Sequence, residues 1–296
     1  MSLFSSLLVP LDGSRAAAAS LGCATWLAAQ FDAKLHILSA TANPLPAREE
    51  LVRLRVPKEY WSRIILHQAA QFPDNAILTA IAEHTADLVI MSASGETVEQ
   101  ARLQRPDAFG TIGHVARSVI EHSQVPVLLL PVSYREDLPW RRLLVPLSGE
   151  PEADETLMLA VELANALKLE VHVAHVMSGV SRKSGLAQSA RYADAAHHEY
   201  PQQLSELVRR AVPQLTVAQC NCITDVALVR GDIASELLKL ISENDISLIA
   251  VGWHGHFVMG HAEVLKALLA AITCPILLVK AAPRAPFKLK VGEEIG

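Results

Sequence analysis

The residues best placed for chemistry are glycines in two loops. Gly252, Gly255 and Gly260 follow the apolar run Ile246-Ser-Leu-Ile-Ala-Val251, and helical spacing resumes just beyond them. A strand, then glycines, then a helix amino-terminus is how α/β proteins turn backbone N–H groups toward a phosphate. The first half of the chain carries a partial copy, Ala86-Asp-Leu-Val-Ile-Met91 followed by Ser92-Ala-Ser-Gly95. His254, His256 and His261 cluster in the second loop, and imidazole is a common zinc ligand. Three loop histidines equally suit solvent or an anion, so they are weak metal candidates and zinc is not expected. Cys220 and Cys222 lack the second pair of thiols that would complete a zinc site; strand alternation is expected to put both on one buried face. No Walker lysine stands in either glycine loop, and no Ser-His-Asp order falls on matching strand ends. The sequence therefore reads as a binding protein and not an enzyme.

The bulk composition fits that reading. A chain of 296 residues suits two domains of ordinary size, and with 51% apolar and 19% charged residues it has ample material for buried strands. A formal charge of −5 with no concentrated basic face gives no ground for nucleic-acid binding. The amino-terminus has no basic n-region, and the longest apolar run, over 267–279, is interrupted and too short to span a bilayer. Four cysteines are too few for a disulfide framework, and Cys23 and Cys274 read as reduced core residues. A cytoplasmic protein without membrane contact is expected.

The elements that would position the loops come in order. Leu7-Leu-Val-Pro-Leu11 is a strand, and Asp12-Gly13-Ser14 ends it in turn chemistry. Ser14 is a good N-cap for a helix over 15–31. Strands follow at 34–39 and 63–67, with a short proline-limited helix between them around 48–55. Pro73 opens a helix to about residue 84. A fourth strand at 88–91, a long polar loop, a helix over 114–122 and a fifth strand at 125–130 complete the half. The order then repeats. Leu143-Leu-Val-Pro-Leu147 echoes the first strand, 152–167 the first helix and 169–176 the second strand. Strand 225–232 with its helix, the run 246–251 and Cys274-Pro-Ile-Leu-Leu-Val279 match the remainder. The second half is longer between its second and third strands (177–224, with a helix expected over 192–211). Near-continuous apolar strands alternating with helices predict a parallel sheet covered on both faces. Pro10 and Pro146 break the pattern in both copies, and are expected at the carboxyl ends of their strands.

These residues resemble the universal stress protein (UspA-like) family in its tandem, two-domain form. The resemblance is carried by Val9-Pro-Leu-Asp12-Gly-Ser14 and Val145-Pro-Leu-Ser148-Gly, by the two fourth-strand runs, and by the closings Val119-Ile-Glu-His-Ser-Gln-Val-Pro126 and Thr273-Cys-Pro275. It implies a doubly wound five-stranded parallel sheet in each half, ordered 3-2-1-4-5, with one domain over 1–132, the other over 141–281 and a linker at 133–140. It also implies intrachain pairing of the two fifth strands, and leaves a homodimer and an unknown protein partner open. In the nucleotide-binding branch, ATP or AMP lies over the strand ends. An Asp ends strand one there, and Gly-x-x-Gly and a later Gly-Ser/Thr hold the phosphates.

Carried onto this sequence, the resemblance divides the set. The first half keeps Asp12 and Gly95 but has Ser92 in place of the leading glycine. Its terminal glycine is either Gly110, followed by Thr111, or Gly113, followed by His114. The second half keeps Gly252, Gly255 and Gly260, but has Ser148 for the Asp and His261 for the Ser/Thr. The expectation is a regulatory, non-catalytic stress-response protein that binds an adenine nucleotide weakly in one or both degenerate sites. A nucleotide-free interaction scaffold is the first alternative. The second is a small-molecule or zinc sensor built on the second-half insertion and the histidine loop.

Overall fold

The computed structural model describes residues 2–95, 112–147, 151–177, 216–253 and 263–280. The first half runs β1 (Ser6–Pro10), α1 (Arg15–Ala18), α2 (Ser20–Phe31), β2 (Lys34–Ala40), α3 (Ala47–Arg53), β3 (Ile64–Ala69), α4 (Pro73–Glu83), β4 (Leu88–Ser92), α5 (His114–His122) and β5 (Val127–Leu130). The second runs β6 (Arg142–Pro146), α6 (Pro151–Leu167), β7 (Glu170–Met177), α7 (Val217–Cys220), β8 (Ile223–Arg230), α8 (Ile233–Glu243), β9 (Leu248–Trp253), α9 (Glu263–Ala271) and β10 (Ile276–Lys280). The helix expected over 192–211 lies outside the described residues. No helix among the described residues is long and apolar enough to cross a membrane.

The strands form one ten-stranded sheet in the order β3-β2-β1-β4-β5-β10-β9-β6-β7-β8. Each half is internally parallel with the crossover order 3-2-1-4-5, and β5 meets β10 antiparallel, with Leu128 opposite Leu277. Every strand alternates between two cores. Leu7, Val9, Leu35, Ile37 and Leu128 face one; Leu8, Leu38, Val89, Met91 and Leu129 face the other. Because both faces carry apolar side chains, the strands read as continuous hydrophobic runs. Each fully buried Leu or Ile contributes about 1.5–3 kcal/mol of burial.

Pro10 and Pro146 are the last residues of β1 and β6. The following N–H groups, of Leu11 and Leu147, donate to Leu38 O and Ala174 O at 2.9 and 2.8 Å, so the prolines fall where the ladder is ending. The helix expected over 15–31 is instead two, broken at Ala19. Ser14 caps the first through the Ala17 N–H, and the Ser20 hydroxyl donates back to Ala17 O at 2.6 Å. A serine bonding a carbonyl of the preceding turn competes with the helix ladder, which accounts for the break. The strand expected at 63–67 extends to Ala69, which β2 holds in register opposite Ala40. Cys220 ends a helical turn just before β8, so a turn and not strand alternation sets its direction; it and Cys222 are half-buried against the same core.

The stretch between the halves is tied to both. The Ser133 hydroxyl donates to Ile272 O and the Arg135 N–H to Thr273 O, while Trp140 packs edge-on against Trp26 of α2 at 5.0 Å.

Candidate functional site

The carboxyl ends of β1, β2 and β4 open into a cavity of about 380 Å³ roofed by the amino-terminal turns of α4 and α5. Its walls are largely apolar: Leu11, Leu38 and Ala40 from the strand ends, Ile77 from α4 and Met91 from β4. Polar groups enter on one side, from Asp12, Ser92, Ser94 and Gly95. Crevices outside the strand ends of an open α/β sheet are where such folds place ligands, at a size suited to a small organic molecule.

The turn at Asp12 and Gly13 is held by three contacts. Asp12 Oδ1 accepts the Ser14 N–H at 2.9 Å, which closes the turn into α1. The Asp12 carbonyl accepts from Arg53 Nη1 at 3.3 Å, and the next carbonyl, of Gly13, accepts from Arg55 Nε at 2.8 Å. Gly13 has a φ of +89°, a conformation that L side chains rarely adopt. Arg53 is itself fixed by the buried Glu50 carboxylate, through contacts of 2.9 and 2.6 Å, and by the Ser39 hydroxyl at 2.9 Å. The hydrogen bond from Arg53 holds the Glu50 pKa below its ordinary value despite burial. This ion pair anchors the turn that presents Asp12.

Gly95 approaches Asp12 closely. A Cβ there would stand 2.5 Å from Asp12 Oδ2, so the carboxylate would have to shift. Gly113 is the N-cap of α5, its N–H donating to Ala93 O at 2.8 Å. It brings no capping side chain to the first-turn N–H groups, which lack acceptors within any helix, and His114, Val115 and Ala116 of that turn line the cavity. A carboxylate at one end, an apolar wall between and a helix amino-terminus at the other can take a ligand with a polar head, a flat apolar body and an anionic tail.

Of the sites expected from sequence, Asp12, Gly95 and Gly113 are thus brought together on one cavity. Gly252 lies apart, as the next-to-last residue of β9, opposite Val279. Gly110, Thr111, Ser148, Gly255, Gly260 and the loop histidines His254, His256 and His261 lie outside the described residues. The sequence reading missed the Glu50–Arg53 pair, whose signal was opposite charge at i,i+3 in a short helix. It also missed the apolar wall, whose residues looked like any other strand and helix core.

The second half supports its first strand differently. His175 Nδ1 lies 2.8 Å from Leu147 O, at the β7 position matching Ser39. There an imidazole on the following strand meets the carbonyl that matches Leu11, one residue before the carbonyl Arg53 holds in the first half.

This doubled arrangement, two five-stranded parallel halves joined in one sheet with a crevice over the strand ends of the first, defines an α/β protein of the tandem doubly wound class. The family model described as "Universal stress protein family" matches residues 42–131 and 139–280, and the chain belongs to that family in two-domain form. Among solved structures, a candidate universal stress protein from Pseudomonas aeruginosa UCBPP-PA14 is similar at 13% identity and a TM-score of 0.61, covering 94% of this chain and 93% of that one. A universal stress protein from Archaeoglobus fulgidus DSM 4304 is similar at 16% identity and a TM-score of 0.58, covering 94% and 97%. A search of curated proteins by sequence found no match.

Proposed function

We propose that the first half binds an adenine nucleotide in the cavity over β1, β2 and β4, as a regulatory ligand and not as a substrate. The observation that carries this reading is the convergence of Asp12, Gly95 and the amino-terminus of α5 on one crevice of about 380 Å³. Asp12 accepts from ribose hydroxyls or the adenine amine. The Leu38, Ala40 and Ile77 wall receives the base, and the first turn of α5 faces the phosphates. Gly95 leaves room beside the carboxylate. Occupancy would change the surface that a partner reads at the amino-terminus of α5. The role assigned is that of a stress-response regulator in the cytoplasm.

Thermal unfolding with ATP, ADP or AMP tests the proposal. Ligand at 100 times its Kd adds about 2.7 kcal/mol of apparent stability. The wild type should be stabilised by millimolar nucleotide, and Asp12→Ala and Gly95→Val should each abolish the shift. No shift at millimolar ATP, or one that survives both substitutions, would end this reading.

A further inference from the structure

Three histidines that no sequence motif connects meet at the opposite end of α4 from the cavity. His36 lies on β2, His67 on β3, and His84 caps the carboxyl end of α4. The β2–β3 register sets His36 opposite Ile65 and Leu38 opposite His67. The two histidines are therefore diagonal neighbours on one face of the sheet, within reach of long side chains. His36 Nδ1 and His67 Nε2 are 2.9 Å apart. The rings of His67 and His84 stack at 3.8 Å with planes 20° apart, and His36 lies 5.1 and 5.3 Å from the other two. One nitrogen from each ring lies within 4.8 Å of the other two.

We propose that His36, His67 and His84 bind one late first-row divalent cation of the zinc class, at a site separate from the nucleotide cavity. An all-imidazole set without thiolate suits zinc and its neighbours. Three protein ligands leave a fourth position open to water. Zn–N bonds of about 2.0–2.1 Å set tetrahedral ligand nitrogens roughly 3.3–3.4 Å apart. The His36–His67 pair then opens slightly from its hydrogen-bonded spacing, and the ion takes the place of the shared proton. His67 and His84 are half-buried, and one of their stacked rings must rotate for both to reach the ion.

His36 is 6% exposed, so the ion would be held on a buried ring of β2, with His67 and His84 on the half-buried side of the cluster.

The test uses the full chain without a histidine tag, stripped by chelator. It is titrated with Zn2+ against a chromogenic competitor, and with Co2+ for its ligand-field spectrum. One equivalent with a tetrahedral Co2+ spectrum is expected. His67→Ala and His84→Gln should each weaken Zn2+ binding at least about a hundredfold, with melting curves recorded to show that they fold. The triple variant His254→Ala, His256→Ala, His261→Ala should keep the equivalent. Failure to bind Zn2+ at micromolar concentration would overturn the proposal. So would binding that survives both cluster substitutions, or binding lost in the loop variant. No nucleotide enters the experiment, so its outcome is independent of the cavity's ligand.

Discussion

The two halves have the same frame and different contents. His36 and His172 occupy equivalent places, His36 in the β1–β2 register and His172 in the β6–β7 register. In the first half the neighbouring positions hold His67 and His84. In the second they hold Ala227, opposite Ala174, and Asn244, the C-cap of α8. His172 has Asp225 at 3.8 Å instead, beside a register shift between β7 and β8. Elsewhere the halves reach one end by different chemistry. The Asp87 carboxylate takes the N–H groups of Ser5 and Ser6, and at the matching place the Ser247 hydroxyl takes those of Arg141 and Arg142. A duplicated fold thus keeps the contacts that close its sheet, and lets the chemistry at its strand ends and helix ends diverge.

The largest expected effect tests whether the halves are one unit. Leu277→Ala at the β5–β10 seam removes a buried side chain from the join and should cost about 2–5 kcal/mol. Urea unfolding followed by circular dichroism and by tryptophan fluorescence should still show coincident transitions; a split would make the halves separate bodies. Next, Arg53→Ala leaves the Glu50 carboxylate buried without its cation. A loss of about 3 kcal/mol is expected, at the low end for such pairs because Arg53 is 40% exposed. The pH dependence follows from the sign of the Glu50 shift. Its pKa is lowered in the fold, so its contribution is complete above the ordinary glutamate value of about 4.3 and is lost as pH falls below it. Glu50→Gln should flatten that acid limb in a melting series. Smaller again, Asp87→Ala should cost about 1–2 kcal/mol and more than Ser247→Ala, because a carboxylate makes the stronger hydrogen bonds. The gentlest change is a transplant. Ala227→His with Asn244→His should alter stability by less than about 1 kcal/mol and add a second equivalent of Zn2+. Failure to gain it would show that more than these positions separates the halves.

The frame was legible because a strand buried on both faces is a run of apolar residues, and the runs recur in order. Asp12 and Gly95 were legible because turn chemistry marks strand ends. The break at Ala19 was not, since one hydroxyl bonding Ala17 O decides it within an otherwise helical run. The histidine cluster was invisible for a different reason. His36 and His67 are 31 residues apart, and no spacing rule joins them; only the pairing of β2 with β3 does. The Glu50–Arg53 pair stood in plain view at helical spacing, but its role depends on which carbonyl the guanidinium reaches.

The antiparallel seam between β5 and β10 has a consequence for access. Because each half is parallel and the two run in opposite directions, their strand carboxyl ends emerge on opposite rims of the common sheet. The molecule is therefore polar in a double sense: each rim displays the front of one half beside the back of the other. A partner docking on one rim meets the strand carboxyl ends of a single half, and two such partners could sit on the chain at once without competing.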